Sequence, residues 1–246
     1  MIARIARHEW HRQRAGLTFW LLLAAGQMTV AWLAFAQLEA FADIAPRLKA
    51  GGATLGATDL VVMPTFNSLL LVLLLGTPLL AMGSIAGEAH SGRLALWLAS
   101  PLSASRIIVG KVLGLWLGLL PLVASASVTL AALGIGVALD PARLALAVAA
   151  MLIVSLWLAA VTVWLSSLFD RPAAALTASY AVLLFLWLLD TFSGDATSWR
   201  TWALLPHVQP MLRGLLRAQD LTYFAATALT ALLLTMRGLD RRRGRA

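Results

Sequence analysis

The sequence predicts an all-α integral membrane protein with six transmembrane helices and both termini cytoplasmic. Three observations carry this. The 246 residues are 61% hydrophobic and 12% charged, more apolar surface than a soluble core of this size can hide. Six apolar runs approach or exceed the roughly 20 residues needed to cross a hydrocarbon layer of about 30 Å. They lie near residues 17–38, 60–86, 112–139, 144–169, 173–189 and 221–236, the last two being short. The third observation is the placement of Lys and Arg, which sets orientation.

With the N-terminus inside, the inner segments hold Arg4, Arg7, Arg12, Arg14, Arg93, Arg106, Lys111, Arg171, Arg237, Arg241, Arg242, Arg243 and Arg245. The outer segments hold only Arg47, Lys49, Arg143, Arg200, Arg213 and Arg217. The formal charge of +8 therefore reads as topology, and no nucleic-acid partner is expected. Lacking cysteine, the chain has no disulfide and no thiol chemistry. With no linker rich in Pro, Gly or Ser and no internal repeat, residues 1–246 read as one transmembrane domain.

Residues 1–14 place Ile2, Ile5, Ala6 and Trp10 at near-helical spacing, with Arg4, Arg7, His8, His11 and Arg12 largely on the other side. Such a segment is expected to lie flat on the cytoplasmic leaflet; an ordinary positive flank is the other reading. The first apolar run is expected to be a span, since it is too long for a signal peptide and five more follow. Residues 39–59, with Pro46 and the Gly51–Gly56 stretch, are expected to form an outer loop with a small helical piece at most. The third span opens with Gly110, Gly114 and Gly118, a smooth face for a close helix partner that the spacing does not name. Pro121 is expected to bend it. Before the sixth span, Met211, Leu212, Leu215 and Leu216 share one face and Arg213, Arg217 and Gln219 another. This predicts an outer amphipathic helix over 211–219, dipping into the interface or lying on the surface.

No Asp, Glu, Lys, Arg or His falls near the middle of a predicted span, which argues against a proton-coupled carrier. His8, His11, His90 and His207 are scattered over both sides, so no metal site is expected. No Ser/His/Asp set converges and no phosphate-cradling Gly-x-x-x-x-Gly-Lys-Ser/Thr is present, so no catalytic residue and no bound cofactor is expected in this chain. Energy must come from elsewhere.

The stretch GEAHSGRLALWLASPLSASRIIVGK (residues 87–111) is the most informative. Ser91 is a candidate N-cap, Leu94, Trp97 and Leu98 follow at helical spacing, Pro101 ends the helix, and Ser103 caps the entry to the third span. Glu88, His90 and Arg93 lie beside its apolar side. A groove on a soluble partner and the lipid surface suit such a helix equally.

This segment resembles the signature between the second and third spans of ABC-2 type transporter permeases. The matching residues are Glu88, then Gly92-Arg93-Leu94, Leu96-Trp97-Leu98, Pro101-Leu102-Ser103 and Gly110-Lys111. Pro206-His207, Arg213-Gly214, Asp220 to Phe224 and Leu239 to Arg243 resemble the branch similar to gliding-motility and nitrous-oxide-reductase-maturation permeases. Arg93, where the family often has Thr, and Trp97 depart from the pattern.

The resemblance implies a non-catalytic permease half-unit of a bacterial cytoplasmic-membrane exporter. Two cytoplasmic ABC ATPases carrying ATP and Mg would dock on a short coupling helix formed by Glu88, Ser91, Gly92, Arg93, Leu94, Trp97, Leu98 and Pro101. A second permease copy or a related chain would complete the pathway, with an accessory periplasmic or membrane protein as a further possible partner. Residues 1–14 would be the elbow helix, and the helix bearing Met211, Leu212, Leu215 and Leu216 would cap the outer end. A membrane scaffold that transmits force to an outer partner without moving a solute is the alternative.

Overall fold

The computed structural model describes residues 1–50, 56–192 and 197–244. They form eleven α-helices: α1 (Ile2–Arg14), α2 (Leu17–Ala50), α3 (Met63–Ala81), α4 (Ala86–His90), α5 (Arg93–Ala99), α6 (Ala104–Leu133), α7 (Pro141–Ser167), α8 (Pro172–Phe192), α9 (Thr197–Arg200), α10 (Leu205–Leu212) and α11 (Ala218–Arg243). A π-helical turn, Thr58–Val62, leads into α3. No strand occurs among the described residues. Six stretches are long and apolar enough to cross a membrane: Leu17–Pro46, Thr58–His90, Ala104–Leu133, Pro141–Ser167, Pro172–Phe192 and Ala218–Arg243. All six expected spans are therefore helices of membrane-crossing length.

Their burial sorts them. In their most apolar stretches α3, α6 and α7 are 67%, 61% and 56% buried, whereas α2, α8 and α11 are 22%, 22% and 17% buried. The first three make the centre, packed through Phe66, Leu69, Leu115, Leu119, Met151 and Leu158. The other three present apolar side chains such as Trp32, Phe35, Phe185 and Leu229 outward, the pattern of helices whose second face meets lipid.

Local chemistry explains several boundaries. Asp140 caps α7, its carboxylate accepting from the amides of Ala142 and Arg143 at 3.0 and 3.3 Å, and Pro141 at the first helical position loses no bond it would otherwise make. Ser100 is extended at φ −72°, ψ 149°, the conformation that the ring of Pro101 imposes on its predecessor.

Three expectations need correction. Residues 39–50 are not loop: α2 continues to Ala50 with Pro46 inside it, because the alanine-rich stretch after Leu38 loses hydropathy without losing helix propensity. Residues 51–55 of the glycine stretch lie outside the described residues. The third span starts at Ala104 instead of 112 and ends at Leu133; Arg106 and Lys111 lower the hydropathy of its first turns without interrupting the helix.

The outer helix, thirdly, is α10 at Leu205–Leu212 and not a helix over 211–219. Pro206 starts it. Gly214, at φ +81°, stops it, with the Gly214 amide donating to Met211 O at 3.1 Å and the Leu215 amide to Pro210 O at 2.9 Å, a Schellman closure. Met211 and Leu212 are buried at its end, while Leu215 and Leu216 are exposed beyond it.

Candidate coupling site

The glycine face of α6 has a definite partner, the N-terminal helix α1. A Cβ on Gly110 would lie 2.7 Å from Ile5 Cβ, one on Gly114 2.8 Å from the carbonyl of Ala6, and one on Gly118 against the Gln13 amide. Residues 5, 9 and 13 thus climb α1 in step with 110, 114 and 118 of α6, so the two helices run side by side in the same direction. The amphipathic N-terminal helix is thus docked lengthwise on α6. Its buried side holds Ile5 and Ala6 together with the polar Glu9 and Gln13, and Gln13 Nε2 donates to Gly114 O at 3.2 Å.

That docking carries Glu9 to a buried charge cluster at the foot of the bundle. Lys111 Nζ donates to Glu88 Oε1 at 2.7 Å and to Ser84 O at 3.0 Å, and lies 3.6 Å from Glu9 Oε2. Arg12 pairs with Glu9 and donates to Gly83 O at 2.6 Å. Glu9, Glu88 and Lys111 are each at most 4% exposed. The two cations balance the two carboxylates, as burial of charge requires.

The same cations serve a second purpose. Between α3 and α4 the chain turns at residues 82–85, leaving carbonyls and amides without helical partners. Arg12 and Lys111 take the carbonyls of Gly83 and Ser84, while the Ser166 hydroxyl of α7 accepts from the amides of Ile85 and Ala86 at 3.3 and 3.0 Å. Helices α1, α6 and α7 therefore clamp one turn of backbone.

The short helix α5 hangs from this clamp through Gly92, whose φ of +72° is open to glycine at no steric cost. Gly92, and not Ser91, is the N-cap. The Ser91 hydroxyl instead donates to Glu88 O at 3.3 Å and accepts from Arg93 Nε at 3.0 Å. Two contacts hold the far end of α5. Lys111 Nζ lies 5.5 Å from the Trp97 ring centroid, and Arg243, at the end of α11, donates to the carbonyls of Leu98 and Trp97 at 3.1 and 3.3 Å.

Among the residues expected to meet a partner, Ser91, Gly92, Arg93 and Pro101 are exposed, Trp97 and Leu98 are half-buried, and Glu88 and Leu94 face inward. Leu96, 74% exposed, is the large apolar side chain α5 offers outward. Sequence reasoning missed Glu9, Arg12, Ser166 and Arg243 in this site. A lone acid in the otherwise basic first segment was the available signal for Glu9.

The opposite end of the bundle is organised around α10. His207 faces Asp220 with Nδ1 at 2.7 Å and Thr201 O with Nε2 at 3.1 Å, and its ring stacks on Tyr223 with centroids 4.2 Å apart. Tyr223 donates to Trp202 O at 3.1 Å, and Phe224 meets Trp157 edge-on at 5.6 Å. Pro206-His207, Arg213-Gly214 and Asp220 to Phe224, far apart as sequence signals, thus form one unit that starts, stops and docks α10.

The family model described as ABC-2 family transporter protein matches residues 39–236, from the C-terminal part of α2 to the last turns of α11. Comparison with curated proteins gives no match. With six membrane-crossing helices and the short helix α5 between the second and third of them, the chain belongs to the ABC-2 family of transporter proteins and is a transmembrane permease component of an ABC transporter.

Proposed function

We propose that this permease is a non-catalytic half-unit of an exporter in a bacterial cytoplasmic membrane, driven by two separate cytoplasmic ATPases that carry ATP and Mg. A second copy or a related permease completes the pathway. The observation supporting this is the construction of the foot. A seven-residue helix with an exposed Arg93 and Leu96 hangs on a glycine hinge, and its supports are tied by buried charges and backbone bonds to four membrane-associated helices. Movement of that helix by a soluble engine reaches the spans directly, and alternating access follows as rigid-body rocking of the two half-units. The buried charges sit towards the two ends of the bundle, Glu9, Glu88 and Lys111 at the foot and Asp220 at the other end, and not at mid-depth where a proton or ion would be handled.

The test uses the native complex purified through this chain. Leu96→Asp and Arg93→Glu alter exposed side chains only, so the melting of the chain should be unchanged while ATPase subunits are lost from the purified complex. Retention of a stoichiometric ATPase by both variants would overturn the docking assignment.

A further inference from the structure

We infer that the end of the bundle opposite α4 and α5 carries a site for one anionic amphiphile, with its head group on Arg213 and Arg217 and its hydrocarbon chain in the groove between α7, α8 and α11. The site is a property of the chain alone and does not depend on the ATPase partnership.

Two adjoining cavities carry the inference. The first, about 520 Å³, is lined by Arg200, Arg213, Arg217, His207, Gln209 and Gln219 among others. The second, about 550 Å³, has mostly apolar walls, including Trp157, Val161, Trp164, Leu186, Ala231 and Leu234. Thr201 lines both. The His207–Tyr223 stack joins them, since His207 faces the first and Tyr223 the second.

Charge in the first cavity is unbalanced. Arg200 is paired with Asp190 at 3.2 Å and His207 with Asp220 at 2.7 Å, which uses the described acids nearby. Arg213 and Arg217 have no ion pair or side-chain hydrogen bond among the described residues. Three of the six basic residues that the sequence assigns to its acid-rich outer side meet in this one cavity. Two unpaired guanidinium groups repel each other, and their planar N–H forks match the oxygens of a phosphate-type anion.

The second cavity specifies the rest of the ligand. From Tyr223 to Leu234 the groove follows twelve residues of α11, a rise of about 16 Å at 1.5 Å per residue, or roughly half of a 30 Å hydrocarbon layer. An apolar groove one leaflet deep, opening at its head on unpaired arginines, is complementary to an acidic lipid with its phosphate at the interface.

The delipidated full-length chain is to be examined by native mass spectrometry with phosphatidylglycerol, phosphatidylcholine and inorganic phosphate. The expected result is one phosphatidylglycerol per chain, preferred over phosphatidylcholine by roughly tenfold or more, since each of two cations near an anionic lipid head group is worth about a factor of five. Arg213→Gln/Arg217→Gln should bring the preference to about one with melting unchanged. Ala226→Trp, which fills the exposed mouth of the groove, should remove binding of both lipids. Equal retention of the two lipids by the unmodified chain would overturn the proposal, as would preference surviving in the double variant. Displacement of phosphatidylglycerol by millimolar phosphate would also overturn it, marking a site for a free anion.

Discussion

Lys111→Met tests whether the buried cluster holds the foot together. In the native chain the Lys111 ammonium is 1% exposed and touches Glu88 at 2.7 Å, Ser84 O at 3.0 Å and Glu9 at 3.6 Å. Methionine fills nearly the same volume, so packing is retained and only the charge and its donors are lost. Glu9 keeps Arg12, but among the described residues Glu88 has no other cation and its Oε2 has no partner. Removing one member of a buried pair costs about 3–5 kcal/mol. At about 2–4 °C per kcal/mol for a chain of this size, the melting temperature should fall by about 6–20 °C. Thermal unfolding of the detergent-solubilised protein, followed by the fluorescence of its ten tryptophans, reads this directly. Lys111→Met/Glu88→Gln removes the stranded carboxylate and should recover more than half of the loss, because a neutralised buried pair is nearly isoenergetic with an intact one. A single variant within 2 °C of the native chain, or a double variant no better than the single, would refute the assignment.

Two further outcomes follow from packing and backbone. Gly114→Leu drives a side chain into Glu9 and the Ala6 carbonyl; it should lever α1 off α6, seen as tryptic cleavage at Arg7 and Arg12 that the native chain resists. Gly214→Val forces a branched residue to φ +81°, destabilising the chain by about 1–2 kcal/mol and lowering its melting temperature by about 2–8 °C, whereas Gly238→Ala, mid-helix with open space around it, should leave the melting temperature unchanged or raise it.

The six spans were legible because crossing a bilayer demands a length of apolar chain, a property read along one dimension. Where polarity and helix propensity part company the boundaries shifted, as with α2 beyond Leu38 and α6 before Val112. The short helix between Ser91 and Pro101 was legible, and so was its apolar side of Leu94, Trp97 and Leu98; what that side packs against was not. Its neighbours there, Lys111 beside the Trp97 ring and Arg243 on the Leu98 carbonyl, come from elsewhere in the chain, which a seven-residue pattern does not reveal. Misplacement of the outer helix had a local cause: Arg213-Gly214 was recognised as a resemblance without its consequence, that a glycine in the left-handed region ends a helix. Nothing in the spacing of Glu9, Glu88 and Lys111 announces that they meet.

The two ends of the molecule are joined by α11, which makes the remaining contact testable. Its 26 residues extend about 39 Å, with Asp220 against His207 at one end and Arg243 on the carbonyls of α5 at the other. Because α4 is clamped by α1, α6 and α7 while α5 is joined to it through Gly92, a force on α5 has two exits, the Trp97–Lys111 contact into α6 and the Arg243 bonds into α11. Arg243→Gln shortens the side chain and removes the charged fork, yet leaves Leu96 and Arg93 as they were. The ATPase should therefore still bind. What should be lost is the outer response: with a single cysteine at Leu215→Cys, exposed beside α10 in a chain otherwise free of cysteine, the labelling rate should change on trapping the ATPase with ATP and vanadate in the parent and stay constant in Arg243→Gln. An equal change in both would mean that α6 alone carries the motion and that the Arg243 bonds only trim the end of α5.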